Sequence, residues 1–212
     1  MEPDFAAPEF FPLLTELLRW RRDVRHFRRD EIPEAELLEL LRLAQLAPSV
    51  GLSQPWRFMR VRSSAARAAV RENFAHCNAD ALGGYQGEDA ALYTRLKLSG
   101  LDDAPVQLAV FCDGATGAGR GLGRRTMPEM AEYSVVTAVH TLWLAARAKG
   151  IGMGWVSILD PEGIAQALNV PEGWRLIAYL CLGRPAETYT VPELERVGWE
   201  HRHKLDEVLV ER

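Results

Sequence analysis

The chain has 212 residues, 48% of them apolar and 25% charged, with a formal net charge of −4. This length buries a core without disulfide staples, and the balance is that of an ordinary globular chain. The acidic sum excludes a general basic footprint for nucleic acid but leaves room for a local anion site.

The opening MEPDFAAPEFF is acidic and lacks a basic n-region, so no signal peptide is expected. Phe10 to Arg22 place Phe11, Leu14, Leu17 and Leu18 on one face, which predicts a first helix with a strongly basic end, RWRRDVRHFRRDEIP. A second helix starts at Pro33, carries Leu37, Leu40, Leu41 and Ala44 at helical spacing, and is stopped by Pro48. Arg57 to Arg62 alternate as a strand. Ala65 to Ala79 and Glu88 to Leu98 predict two helices, with GGYQG (residues 83–87) as the turn between them. Val106 to Cys112 is a continuous apolar run, hence a central strand. The long helix Glu129 to Lys149 is apolar nearly all round, which suits a core or an oligomer interface, and Gly150 fits its C-terminal cap. Ile151 to Leu159, Pro161 to Leu168 and Trp174 to Leu182 follow as strand, helix and strand. Residues 185–212 have little periodicity and read as an extended C-terminal arm. The whole predicts one α+β domain over residues 1–212, a sheet surrounded by helices.

Cys77, Cys112 and Cys181 are odd in number and form no C-x-x-C. Two of them lie in apolar runs, as buried free thiols do, which favours a reducing, cytoplasmic compartment. The loop GATGAGRGLG follows a strand, but its glycines miss G-x-G-x-x-G at Leu122 and at Arg124. It therefore reads as a mobile or subunit-contact loop rather than a dinucleotide site. The histidines have no metal-ligand spacing, and His140, on an apolar helix, reads as a core or interface residue. Ser49 and Ser53 do not fit G-x-S-x-G.

Two stretches carry chemistry. In RRDVRHFRR the arginines offer planar forks of donors suited to phosphate, and Arg21 and Arg25 share a face if the helix continues. Asp23, set among them, stays ionised as a base or acceptor. In LAPSVGLSQPWRF, Pro48 and Pro55 stiffen a loop in which Gly51 lets backbone approach a flat ring, while Ser49 and Gln54 present polar groups to its edge.

RRDVRHF, APSVGLSQPWRF, LGRRTMPEMAEYSVVTAVHTLWLAARAKGIGMGWVSIL and CLGRP together resemble the nitroreductase-like flavoproteins, from about Arg19 to about Trp199. The resemblance implies a central mixed β-sheet wrapped by helices, an intertwined homodimer with FMN at the subunit interface, and an arm that crosses the partner. It implies that Arg21, Arg22, Asp23, Val24 and Arg25 hold the phosphate and ribityl chain, and that Pro48, Ser49, Val50 and Gly51 lie along the isoalloxazine. Trp155, Val156 and Ser157 approach from the other side, and Arg184 and Lys97 are further candidates. LWLAARA and GWVSI resemble a narrower group that consumes its flavin. There, reduced FMN and dioxygen give 5,6-dimethylbenzimidazole, the lower ligand of vitamin B12, with release of erythrose 4-phosphate. This implies Asp23 as base or orienting carboxylate and Ser157 as a positioning hydroxyl. Electrons arrive through a separate flavin reductase, so NAD(P)H acts only indirectly. The segment 83–87 falls where this group carries a lid, and its glycines suggest a mobile one. The alternatives are an NAD(P)H-dependent nitroreductase or related reductive dehalogenase, and a flavin-sequestering module.

Overall fold

The computed structural model describes residues 4–96 and 100–212. Lys97 lies outside them. The elements in chain order are α1 (Phe10–Trp20), α2 (Glu34–Ala44), β1 (Trp56–Arg60), α3 (Ser64–Leu82), α4 (Gly87–Arg95), α5 (Gly100–Asp103), β2 (Val106–Asp113), α6 (Met130–Ala148), β3 (Gly152–Val156), α7 (Pro161–Ala167), β4 (Trp174–Gly183), α8 (Glu193–Arg196) and α9 (Leu205–Val208).

The four strands form one sheet in the order β1-β2-β4-β3. Every pair of named strands is antiparallel. The parallel component expected of a mixed sheet is confined to an isolated bridge between Asp23 and Met153. β2 and β4 are central and have helices on both faces, which is why β2 is apolar from Val106 to Cys112 save for Gln107, whose buried amide donates to Leu101 O at 2.8 Å and accepts from the Tyr179 hydroxyl at 2.7 Å. Leu108, Val110 and Cys112 point to one face with Leu180 and Leu182, against α2 and α6. Ala109 and Phe111 point to the other with Tyr179, against Val70 of α3 and Ile164 of α7. This period-2 division gives each face its own apolar cluster.

α6 is the central helix. Val135, Val139 and Leu142 are fully buried against the sheet. Its opposite side leaves Tyr133 51% and Val136 40% exposed, and His140 is exposed as well. His140 is therefore not in this chain's core. The helix ends as the sequence predicts: Gly150 (φ 69) donates to Arg147 O at 2.9 Å and Ile151 N–H to Ala146 O at 2.9 Å, a paired capping pattern that turns the chain straight into β3.

The first helix stops at Trp20. Arg21 is already extended (φ −71, ψ 113), so Arg21 and Arg25 do not share a helix face. The residues that follow run extended beside the edge strand β3, with isolated bridges from Asp23 to Met153 and from Phe27 to Pro185. β3 ends at Val156, which leaves Ser157 just past the strand and exposed. The short helices α5, α8 and α9 were not legible as helices in the sequence.

Candidate functional site

The RRDVR segment is stitched to β3. Val24 N–H donates to Met153 O at 3.0 Å, and Trp155 N–H donates to Asp23 Oδ1 at 2.9 Å. The approach is so close that a Cβ on Gly154 would lie 2.2 Å from Val24 O, so only glycine lets the two backbones meet here. Asp23 Oδ2 lies 3.6 Å from Arg25 Nε, which also reaches Glu193 of α8 at 3.2 Å.

Above this seam lies a recess of about 180 Å³, lined among others by Trp20, Arg22, Asp23, Arg25, Trp143 and Arg196. Asp23 is packed on its protein side yet keeps 38% of its side chain open to solvent. Burial pushes its carboxyl pKa up from 3.8; the Trp155 N–H and Arg25 oppose this, and Glu193 adds to it. The expected downward shift from the neighbouring arginines is thus corrected: desolvation outweighs them.

The arginines do different work from one another. Arg21 stacks its guanidinium over Trp143, 4.7 Å from the ring centroid. Arg22 donates from Nε to Thr190 O at 2.6 Å, tying the arm to the segment. Burial lowers the pKa of both Arg21 and Arg22, and the nearby Arg202 lowers each further by repulsion. Three guanidiniums crowded this way suit an anion. Arg202 and Arg196, both on the arm, were missed by sequence reasoning, as were Trp20 and Trp143. Their separation along the chain gives no local pattern, and the arm, richer in acids than in arginines, carries no signal for them.

Arg184 stands apart. It donates to Lys149 O at 2.6 Å and pairs with Glu36 at 3.1 Å, joining β4, α2 and the end of α6, and it does not line the recess. The candidate residues Pro48, Ser49, Val50, Gly51 and Gln54 are likewise elsewhere in the single chain. Thr137 Oγ1 donates to Pro48 O at 2.8 Å and Val50 N–H donates to Ser134 Oγ at 3.0 Å, so the loop rides on the first turns of α6. Trp143 and the recess lie about two turns farther along the same helix. One chain thus brings Asp23, Val24 and Arg25 together with Trp155 and Val156, with Ser157 next in the chain, but not with the loop.

The GGYQG turn is tied down rather than loose. Tyr85 stacks on Tyr93 with ring centroids 4.8 Å apart, and Trp199 of the arm meets Tyr85 edge-on at 5.5 Å. Tyr93 also donates its hydroxyl to Asn78 Oδ1 at 2.9 Å.

The Nitroreductase family pattern matches residues 18–184, and the chain belongs to this family of oxidoreductases. Within it, the chain is 56% identical over 195 residues to the 5,6-dimethylbenzimidazole synthase of Rhodospirillum rubrum, covering 92% of each. It is 51% identical to the protein of the same name in Rhodobacter capsulatus, covering 88% of this chain and 90% of that one. Among solved structures, an oxidized iodotyrosine deiodinase bound to FMN and 3-iodo-L-tyrosine superposes with a TM-score of 0.71 at 25% identity, covering 83% of this chain and 91% of that one.

Proposed function

We propose that this chain is a 5,6-dimethylbenzimidazole synthase that takes reduced FMN as substrate and fragments it with dioxygen. The observation that carries the reading is Asp23, a carboxylate with a raised pKa fixed at the floor of an arginine-rimmed recess by the Trp155 N–H. The high identity to synthases of that name supports it, and the deiodinase-like or nitroreductase-like alternative is supported by a lower likeness.

The residues fit the flavin nucleotide in parts. Arg21, Arg22 and Arg202 crowd positive charge that a phosphate would relieve, and Arg25 stands beside Asp23. Bound reduced flavin supplies electrons to dioxygen. Asp23 holds or accepts a proton at Oδ2, the oxygen not engaged by Trp155, and Ser157, beyond the strand end, orients the substrate through its hydroxyl.

A recess of about 180 Å³ is smaller than the roughly 300–1,000 Å³ of cofactor sites. A homodimer completes it: the partner's copy of the loop Pro48–Gln54 covers the ring, and the exposed side of α6 with Tyr133 and Val136 forms the interface. A separate flavin reductase, a cytoplasmic setting and a single catalytic domain belong to the same reading. Among the described residues no helix is long and apolar enough to cross a membrane.

The test is to mix the protein with reduced FMN without oxygen, admit air, and follow products by mass spectrometry. The expected result is 5,6-dimethylbenzimidazole with loss of flavin. Quantitative recovery of FMN after many aerobic cycles overturns the proposal.

A further inference from the structure

The glycine-rich loop fails as a dinucleotide site and lies outside the recess, yet it is closely fitted to the loop Pro48–Gln54. A Cβ on Gly119 (φ 75) would lie 2.7 Å from Gly51 O, and one on Gly123 would lie 2.7 Å from Val50 Cγ2. Gly51 in turn sits against Gly119 O and Leu122. At Gly51 and Gly119 the two backbones meet directly, with Ser53, Val50 and Leu122 packed around them.

The loop held in this way is strained. Leu52 (φ 56) and Gln54 (φ 42) adopt left-handed backbone without being glycine. Such conformations persist only where the surroundings over-determine them. α6 supplies one side through Ser134 and Thr137. The glycine-rich loop supplies the other, and it is itself left-handed at Gly119, Arg120, Gly121 and Gly123, with little side-chain packing of its own. What fixes it is Arg124. Its Nη2 donates to Thr116 O at 2.9 Å and Ala118 O at 3.1 Å, and Nη1 reaches Gly114 O at 3.5 Å. A single guanidinium fork gathers three carbonyls of the loop.

We propose that Arg124 is a positioning residue for the loop Pro48–Gln54, acting through the glycine-rich loop. By fixing residues 114–118 it sets where Gly119 presses on Gly51, and so where Ser49 and Gln54 present their polar groups. The proposal rests on the reading that this loop faces the flavin ring. Arg124 itself touches no substrate.

The test uses the full-length protein loaded with oxidised FMN, read by visible absorption and circular dichroism of the bound ring, together with turnover of reduced FMN. Arg124→Ala is expected to shift the bound-ring spectrum toward that of free FMN. It is also expected to lower kcat by about ten- to a hundredfold, the size of effect a displacement of about 1 Å produces, with KM little changed because the arginine contacts to phosphate remain. Gly119→Ala pushes on Gly51 without touching Arg124 and is expected to reproduce the spectral shift. Arg124→Lys is expected to reverse part of it. A folded Arg124→Ala protein with the original spectrum and kcat overturns the proposal. So does one whose lost activity follows a fallen Tm while the bound-ring spectrum is unchanged. Should Arg124→Ala not fold, unchanged spectra in both Gly119→Ala and Arg124→Lys overturn it. If the unaltered protein binds FMN but forms no 5,6-dimethylbenzimidazole, the functional reading fails, and the spectra still decide the role of Arg124.

Discussion

At Asp23 two jobs meet in one carboxylate. Oδ1 accepts the Trp155 N–H and so helps hold the segment to β3, while Oδ2 faces Arg25 and the recess. Asp23→Asn keeps an acceptor for that N–H but cannot take a proton. It is expected to lower product formation by about a hundredfold or more while FMN still binds, measured by mass spectrometry and by flavin fluorescence titration. The raised pKa gives a second outcome. The acid limb of kcat/KM is expected to lie above 3.8 in the unaltered protein and to be absent from the residual activity of Asp23→Asn. The same shift affects stability. A folded state that holds this proton more tightly gains stability that is present below the unfolded value and is lost as pH rises through the folded one. The unaltered protein is therefore expected to lose stability relative to Asp23→Asn from about pH 4 upward, read from urea midpoints across pH. The importance of Asp23 was legible from its place in RRDVR and from resemblance. Its environment was not, because Glu193 and Trp155 reach it only through tertiary packing.

Among the elements, β3 and its seam with Val24 are the part least tolerant of change. Gly154→Ala drives a methyl into the Val24 carbonyl and is expected to cost about 1–3 kcal/mol, measured by chemical denaturation, with loss of FMN binding. Arg184→Ala is expected to lower Tm instead, since it leaves Glu36 without its partner between packed helices. A loss of about 1–3 kcal/mol corresponds to roughly 2–4 °C for each kcal/mol in a chain of this size. Strands and long helices were legible because apolar spacing alone specifies them, as in β2 and α6. Short pieces such as α5 and α8 were not: four residues give no period to read, and their shape comes from what they pack on. The run RRDVR misled for a related reason. Its composition suits a helix, but the bonds from Val24 and Asp23 to β3 outweigh that preference.

For the whole molecule, the decisive fact is that one chain holds the arginine recess and the loop Pro48–Gln54 at different places along α6. A two-protomer species is expected in sedimentation experiments. Val136→Asp, on the exposed side of α6, is expected to shift it to monomer and to weaken FMN binding at least tenfold, because a charge buried in an apolar interface costs more than about 1.4 kcal/mol. The intertwined pairing is an expectation that rests on resemblance alone. An apolar helix does not say whether its second side meets its own chain or another copy.

The three rings Tyr85, Tyr93 and Trp199 join segments that are far apart in sequence. Any outward swing of α4 must pull Tyr85 and Tyr93 from the indole of Trp199, and any release of the arm near Trp199 exposes the two tyrosines. The two segments are thus tied through one indole, and the emission of Trp199, isolated by replacing the other five tryptophans, is expected to change when either side of the contact is broken.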